Sequence, residues 1–418
     1  MNAVTALVMA TEADALSLLT AEAVRSRAEM MLAAGLHDGL AHFRIDLDRM
    51  DDVADAVLAT IQKAYPSLKI PFHARWRHFV VGGADRWADV ADRVSWPDTA
   101  TRARAEFDLA IVSVLLDAGA GAAWRYRDER SGKAIGRSEG LAIASLDMFV
   151  SGAFSSDSRD PLRVDADRLA DLSVAALERG FQVGATNPMV GLEGRADLLR
   201  RLGRLVAEQT DIFGQRDRPR PGGLFDHIFG LGFGKAFAAP RILSEVLTRL
   251  GPIWPSRLTL AGIPLGDCWK HPAIKTGDAT DGLVPLHKLS QWLTYSLIEP
   301  LQRAGVEATD INGLTGLAEY RNGGLFVDLG VLVLRDDRDA DRGHEVDSTL
   351  VVEWRALTVA LLDRLAEIVR ARLNRTPQSL PLASLLEGGT WAAGRAAAFA
   401  RRPDGAPPIK VISDGTVF

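Results

Sequence analysis

Cysteine is almost absent: Cys268 stands alone among 418 residues. This excludes an internal disulfide framework and a thiolate-rich metal site, and it fits a reducing compartment. Cys268 itself reads as a small core residue. Long apolar runs are missing too, since no stretch approaches the roughly 20 residues needed to cross a bilayer. The N-terminal segment lacks a basic start and carries Glu12, Asp14 and Glu22 among its apolar residues, unlike a secretion signal. A soluble, cytoplasmic protein with no membrane partner is expected. Positive charge is not in excess, the net charge being -5, which argues against nucleic acid as the main partner. What is present is an ordinary globular mixture, 47% hydrophobic and 25% charged, able to build a sizeable core.

Ala, Leu and Arg dominate, and apolar residues between Gly and Pro breaks recur at spacings of three and four. This predicts a mainly α, compact multihelical protein with a few short strands. Val53, Val57, Ile61 and Ala64 form one stripe, with Asp51 and Asp52 in the first turn and Pro66 ending it. Further helices are predicted at about residues 3–34, 100–117, 137–151, 166–179, 193–210, 240–250, 285–304, 349–373 and 384–400. In the 349–373 segment, Leu350, Trp354, Leu357, Leu361, Leu365 and Ile368 make a core stripe, which sets Glu353 and Arg355 at a cleft edge. Breaks are expected at Gln215 to Gly223 and in the charged run Arg335 to Arg342. They suggest an N-terminal half to residue 215 and a C-terminal half over 216–418, together one compact unit.

The stretch from Leu314 to Asp328 carries Glu319, Arg321, Asn322 and Asp328 around Gly323-Gly324. The glycines read as a tight turn and Leu325 to Leu334 as a strand carrying Asp328 into an apolar layer. A buried carboxylate there needs a partner, and Arg321 is the nearby candidate. Ile70 to Phe79 packs His73, Arg75, Arg77 and His78 among Phe72, Trp76 and Phe79. If the segment is extended, Arg75 and Arg77 share one side and form an anion pocket, the alternative being arginine–aromatic packing. Asn187 to Leu199 reads as a loop feeding a helix, with Glu193 capping and Arg195 the better ligand candidate. Gly230-Leu231-Gly232-Phe233-Gly234-Lys235 matches neither phosphate-loop nor dinucleotide spacing and reads as a bend or close helix contact. The histidines show no i, i+4 pair of a helical metal motif, and Leu141 to Ser145 lacks the glycines of a nucleophile elbow.

Arg137-Ser138-Glu139-Gly140-Leu141, Val190-Gly191-Leu192-Glu193-Gly194-Arg195, Leu317 to Gly324 and the terminal Ser413-Asp414-Gly415-Thr416-Val417-Phe418 together resemble the fourth-component family of the URC uracil-catabolism pathway, over nearly the whole chain. The resemblance implies a role in breaking down uracil through a ribosylated, ring-opened urea, with ribosylurea or its phosphate as substrate. The run from Val351 to Val359 is similar to a Glu-x-Arg-Ala-x-Thr helix of the queuosine salvage N-glycosidases, whose helical architecture is akin to DNA glycosylases. Ser290 to Tyr295 resembles part of their Pro-Gln-x-Leu-x-Tyr segment, although Leu286 and Lys288 replace the acid and arginine that precede it there.

Both likenesses imply cleavage of a ribose C1–N bond through an oxocarbenium-like state, with a small ribosylated molecule as the partner; no metal is expected from the histidine spacing, and no organic cofactor. Such a state is helped by a carboxylate and by a donor to the leaving nitrogen. Asp328 or Glu319 is expected to act as base or cation stabiliser. Lys288 and Arg321, with Asn322, Gln291 and His73, are expected to hold the urea or sugar, and Arg75, Arg77 and Arg195 to contact the phosphate if the substrate is phosphorylated. Glu353 and Arg355 are expected to complete the pocket from the long helix. A non-catalytic binding or scaffold protein, and a hydrolase of the urea C–N bond, are the other classes considered.

Overall fold

Short polar side chains decide where helices begin. Thr11 caps Glu12–Leu18 through a reciprocal exchange with Asp14, and Thr20 caps Ala21–Leu36. The hydroxyls take up helix-start amides, so the predicted 3–34 helix is broken near residue 20. Ser173 likewise starts Val174–Gly180 and separates it from Ala166–Ala170. The computed structural model describes residues 10–121, 123–214, 218–232, 236–254 and 258–412. The predicted terminal motif at 413–418, and Phe233, Gly234 and Lys235 of the glycine-rich run, lie outside these. The fold is mainly α. Met50–Ala64, Thr99–Leu115, Arg137–Val150, Leu192–Glu208, Ala239–Arg249, Lys288–Arg303 and Thr349–Leu373 match their predicted positions closely. No helix among the described residues is long and apolar enough to cross a membrane.

The chain folds into two compact units. One gathers the segment up to Phe72 with Val246–Lys288 and Ile311–Ile412, and the other gathers His73–Glu245 with Leu289–Asp310. The division expected near residue 215 falls within His73–Glu245.

In the first unit Thr349–Leu373 is the central helix, packed by Ala21–Leu36, Met50–Ala64 and Tyr320–Asp328. Because neighbours surround its first half, Val351, Val352, Glu353 and Arg355 are as buried as the predicted stripe. Glu353 and Arg355 are therefore interior residues and do not stand at a cleft edge. The expected strand over Leu325 to Leu334 is also corrected. Tyr320–Asp328 is helical and only Leu332–Leu334 is a strand, paired antiparallel with Phe43–Ile45. Gly323-Gly324 lies inside that helix, for a packing reason. A Cβ at Gly323 would come 2.7 Å from the Trp354 indole nitrogen and from the Thr358 hydroxyl, so glycine permits the close helix contact at some cost in helix propensity. On the other side Gly394 of Trp391–Arg401 meets the Arg321 carbonyl, again with no room for a Cβ.

In the second unit Thr99–Leu115 is the buried helix, flanked by Arg137–Val150 and Gly223–Leu231. Its interior Asp108 accepts Arg220 Nε at 2.9 Å and the Val164 amide at 2.9 Å, so the buried charge is both paired and hydrogen-bonded.

Candidate active site

Glu319 is the N-cap of Tyr320–Asp328, its backbone extended at φ -125° and ψ 162°. Its Oε2 accepts the Arg321 amide at 2.7 Å and its Oε1 the Asn322 amide at 2.6 Å. These are amides that a helix start leaves without intrahelical partners, and the helix dipole favours negative charge beside them. The next two side chains fasten the turn. Arg321 donates from Nη1 to the Gly405 carbonyl at 2.8 Å and lies over the Tyr320 ring. Asn322 donates to the Leu317 carbonyl at 3.3 Å and accepts the Thr390 hydroxyl at 2.8 Å.

The preceding turn ties this cap to a residue that the sequence reading missed. Arg355 Nε donates to the Ala318 carbonyl at 3.2 Å, while its Nη1 and Nη2 bind the two oxygens of Asp267 at 2.8 Å each. Asp267 also accepts the Lys288 amide at 2.9 Å and the Trp269 indole N–H at 2.7 Å. Burial alone pushes the Asp267 carboxyl up, but the Arg355 guanidinium and these donors outweigh it and hold it at about 2. Glu319, Arg355, Asp267 and Lys288 thus form one connected polar run within the first unit, with Asp267, Lys288 and Tyr320 part-exposed.

The other two expected carboxylates are tied elsewhere. Asp328 is buried and bound through both oxygens by Arg402, at 2.8 and 2.6 Å; its partner is not Arg321. Glu353, fully buried, accepts the amides of Ala41 and His42 at 3.1 Å each and faces His271 Nε2 at 3.2 Å. Glu353 fastens the Ala41–His42 segment to the central helix, and Asp328 ties Tyr320–Asp328 to the end of Trp391–Arg401. Asp328→Asn is accordingly expected to lower stability by roughly 1–3 kcal/mol while leaving turnover unchanged; paired denaturation and kinetic measurements check this, and a lost turnover in a folded variant would contradict it.

The expected phosphate arginines do not converge. Arg75–Phe79 is a short 3-10 helix, so Arg75 and Arg77 leave it in different directions. Arg77 pairs with Glu299 at 2.7 Å. Arg195 is wholly buried and donates to the carbonyls of Leu116, Val190 and Ala118, closing the loop before Leu192–Glu208. Burial pulls its guanidinium down to about 10. Arg75 is the exception, since it enters a second polar cluster, inside the second unit. Its Nε donates to Ser113 Oγ at 2.7 Å and its Nη1 to Asp117 Oδ1 at 2.7 Å. Ser138 Oγ lies 2.7 Å from each Asp117 oxygen and 2.9 Å from His78 Nδ1. Trp292 stacks on His73, and the Arg75 guanidinium lies 5.4 Å from its ring centre. Gln291, the next residue on that helix, is fully buried.

Asp117 and Ser138 were also missed as site residues. Asp117 did give a signal: it follows the end of Thr99–Leu115, where the helix dipole disfavours an acid, so a cationic partner was owed. Among the described residues no group of three or more His, Cys, Asp or Glu side chains is disposed to hold a metal ion.

A family model described as "Protein of unknown function (DUF1688)" matches residues 17–418. The chain is 41% identical over 420 residues to "Protein urg3" of Schizosaccharomyces pombe, covering 98% of this chain and 100% of that protein. It is 39% identical over 409 residues to "Uracil catabolism protein 4" of Lachancea kluyveri, covering 90% and 92% of the two chains.

Proposed function

The chain belongs to the DUF1688 family, and from that footing we propose that it serves uracil catabolism by hydrolysing the N-glycosidic bond of ribosylurea, or of its phosphate, to urea and ribose or ribose phosphate. The pathway part of the reading is supported by the name of the relative from Lachancea kluyveri. The chemical part is carried by one observation: a carboxylate, Glu319, positioned by two backbone amides and joined through the Ala318 carbonyl, Arg355 and Asp267 to the backbone amide of Lys288.

In the reaction the C1–N bond breaks with its electron pair moving to the urea nitrogen, which takes a proton, while water adds to C1. Positive charge develops on the sugar in between. A carboxylate already oriented by fixed donors stabilises that charge without reorganising. Glu319 has this role, and Lys288 holds the sugar hydroxyls by hydrogen bonds from its part-exposed position. The Arg355–Asp267 pair is a positioning element, which locks the turn bearing Ala318 and Glu319 against the central helix. Glu353 holds the Ala41–His42 segment to the same central helix. Purified protein incubated with ribosylurea should release free urea and ribose in equal amounts. Ammonia with carbonate would instead point to attack on the urea carbonyl, and binding without any product to a non-catalytic pathway protein.

A further inference from the structure

We propose that the buried cluster of Arg75, Asp117, Ser138 and Trp292 is a recognition site for a neutral, planar ligand carrying an –NH–CO–NH– group. Two donors carry the argument. Arg75 is wholly buried, and its Nη2 has no hydrogen-bond partner among the described residues, although Nε and Nη1 are both engaged. Trp292 is 3% exposed and its indole N–H is likewise without a partner. The two side chains adjoin, the guanidinium lying 5.4 Å from the ring centre. Buried donors carry a desolvation cost that only an acceptor offsets, and one carbonyl oxygen has two lone pairs to meet two donors.

Charge and shape narrow the ligand. The Arg75 charge is already balanced by Asp117 at 2.7 Å, so a neutral ligand completes the site and an added anion would face the carboxylate. Asp117 accepts from Arg75 and Ser138, yet a carboxylate offers about four lone-pair directions. Room remains in its bonding for a ligand N–H. Trp292 and His73 lie nearly parallel, at 25° between planes, with His78 tilted against the same indole; such surfaces suit a flat, conjugated group. Ser138, His78 and Asp117 are part-exposed and give the ligand its way in.

The shared chemistry is found in a pyrimidinedione ring such as uracil and in an open ureide such as ribosylurea. The inference concerns binding alone and stands whether or not hydrolysis follows. The test titrates the full chain with uracil, ribosylurea and inorganic phosphate, following heat and indole fluorescence. Saturable binding of uracil or ribosylurea is expected, weakened about tenfold in Trp292→Phe, which keeps an aromatic face but removes the indole N–H together with its five-membered ring. Arg75→Lys should weaken it further. If that variant fails to fold, Trp292→Phe decides the question alone. Binding of phosphate only, absence of binding by both neutral probes, or neutral-ligand binding unaltered in Trp292→Phe would each overturn the proposal. Retained ligand binding with no product from ribosylurea would instead remove the hydrolysis reading and leave this one in place.

Discussion

Glu319→Gln is expected to reduce kcat/KM for ribosylurea by at least about a hundredfold while the protein stays folded. Loss of one preorganised electrostatic contact to a developing charge commonly costs 10²–10³ in rate. The glutamine keeps the side-chain length and one oxygen, so one of the two amide contacts now made to Arg321 and Asn322 survives. The structural penalty is then that of a weakened helix cap, about 0.5–2 kcal/mol. Because the effect belongs to the transition state, it should fall mainly on kcat. Circular dichroism and initial-rate kinetics on the same preparation check both parts. A folded variant with rates within a few-fold of the parent would remove Glu319 from the chemistry.

The second large effect is on stability. Arg355→Met should cost up to about 3–5 kcal/mol, because it leaves the largely buried Asp267 carboxylate, 10% exposed at its side chain, without its cation. Arg355 is 1% exposed at its side chain, so solvent offers little relief. Adding Asp267→Asn to Arg355→Met should recover part of the loss, since the uncompensated charge, more than the missing contact, is the source of the cost. Acid titration of the parent gives an independent reading. The Asp267 carboxyl is lowered from 3.8 to about 2 on folding. Its contribution is therefore present above pH 3.8 and disappears as pH falls towards 2, amounting to about 2 kcal/mol. The same acid loss should be smaller in Arg355→Met. An unaltered denaturation midpoint would contradict the buried-pair account.

Where periodicity was long and regular, the sequence could be read directly. Thr349–Leu373 and Leu192–Glu208 were legible because each carries an apolar stripe over many turns. Tyr320–Asp328 was not, because its glycine pair has the local signature of a turn. Only the tertiary demand of Trp354 and Thr358 explains why glycine sits at 323. A helix pattern shows which face is most apolar, not how many neighbours surround it, so from sequence Glu353 and Arg355 read as edge residues. In Thr349–Leu373 the neighbours close on nearly every side of the first half, and the charges go inside with partners.

The site was half legible for a related reason. Glu319, Arg321 and Asn322 are adjacent in sequence, and their grouping needs no folding to be seen. Asp267 reaches Arg355 across 88 positions, and nothing local to the Cys268–Lys270 strand announces it. Asp328 pairs with Arg402 across 74 positions, whereas proximity in sequence points to Arg321. Arginines posed the hardest problem, because one residue type serves three ends here. Arg195 ties carbonyls, Arg77 pairs with Glu299 of the Lys288–Arg303 helix, and Arg75 enters a buried polar cluster. Composition does not separate these uses.

The central claim is that the bond cut is the one between sugar carbon and nitrogen, and isotopic labelling tests it most directly. Ribosylurea is turned over in water enriched in heavy oxygen, and the products are examined by mass spectrometry at early times, before sugar carbonyl exchange. The account predicts the label on ribose and unlabelled, intact urea. Label in carbonate, accompanied by ammonia, would contradict it.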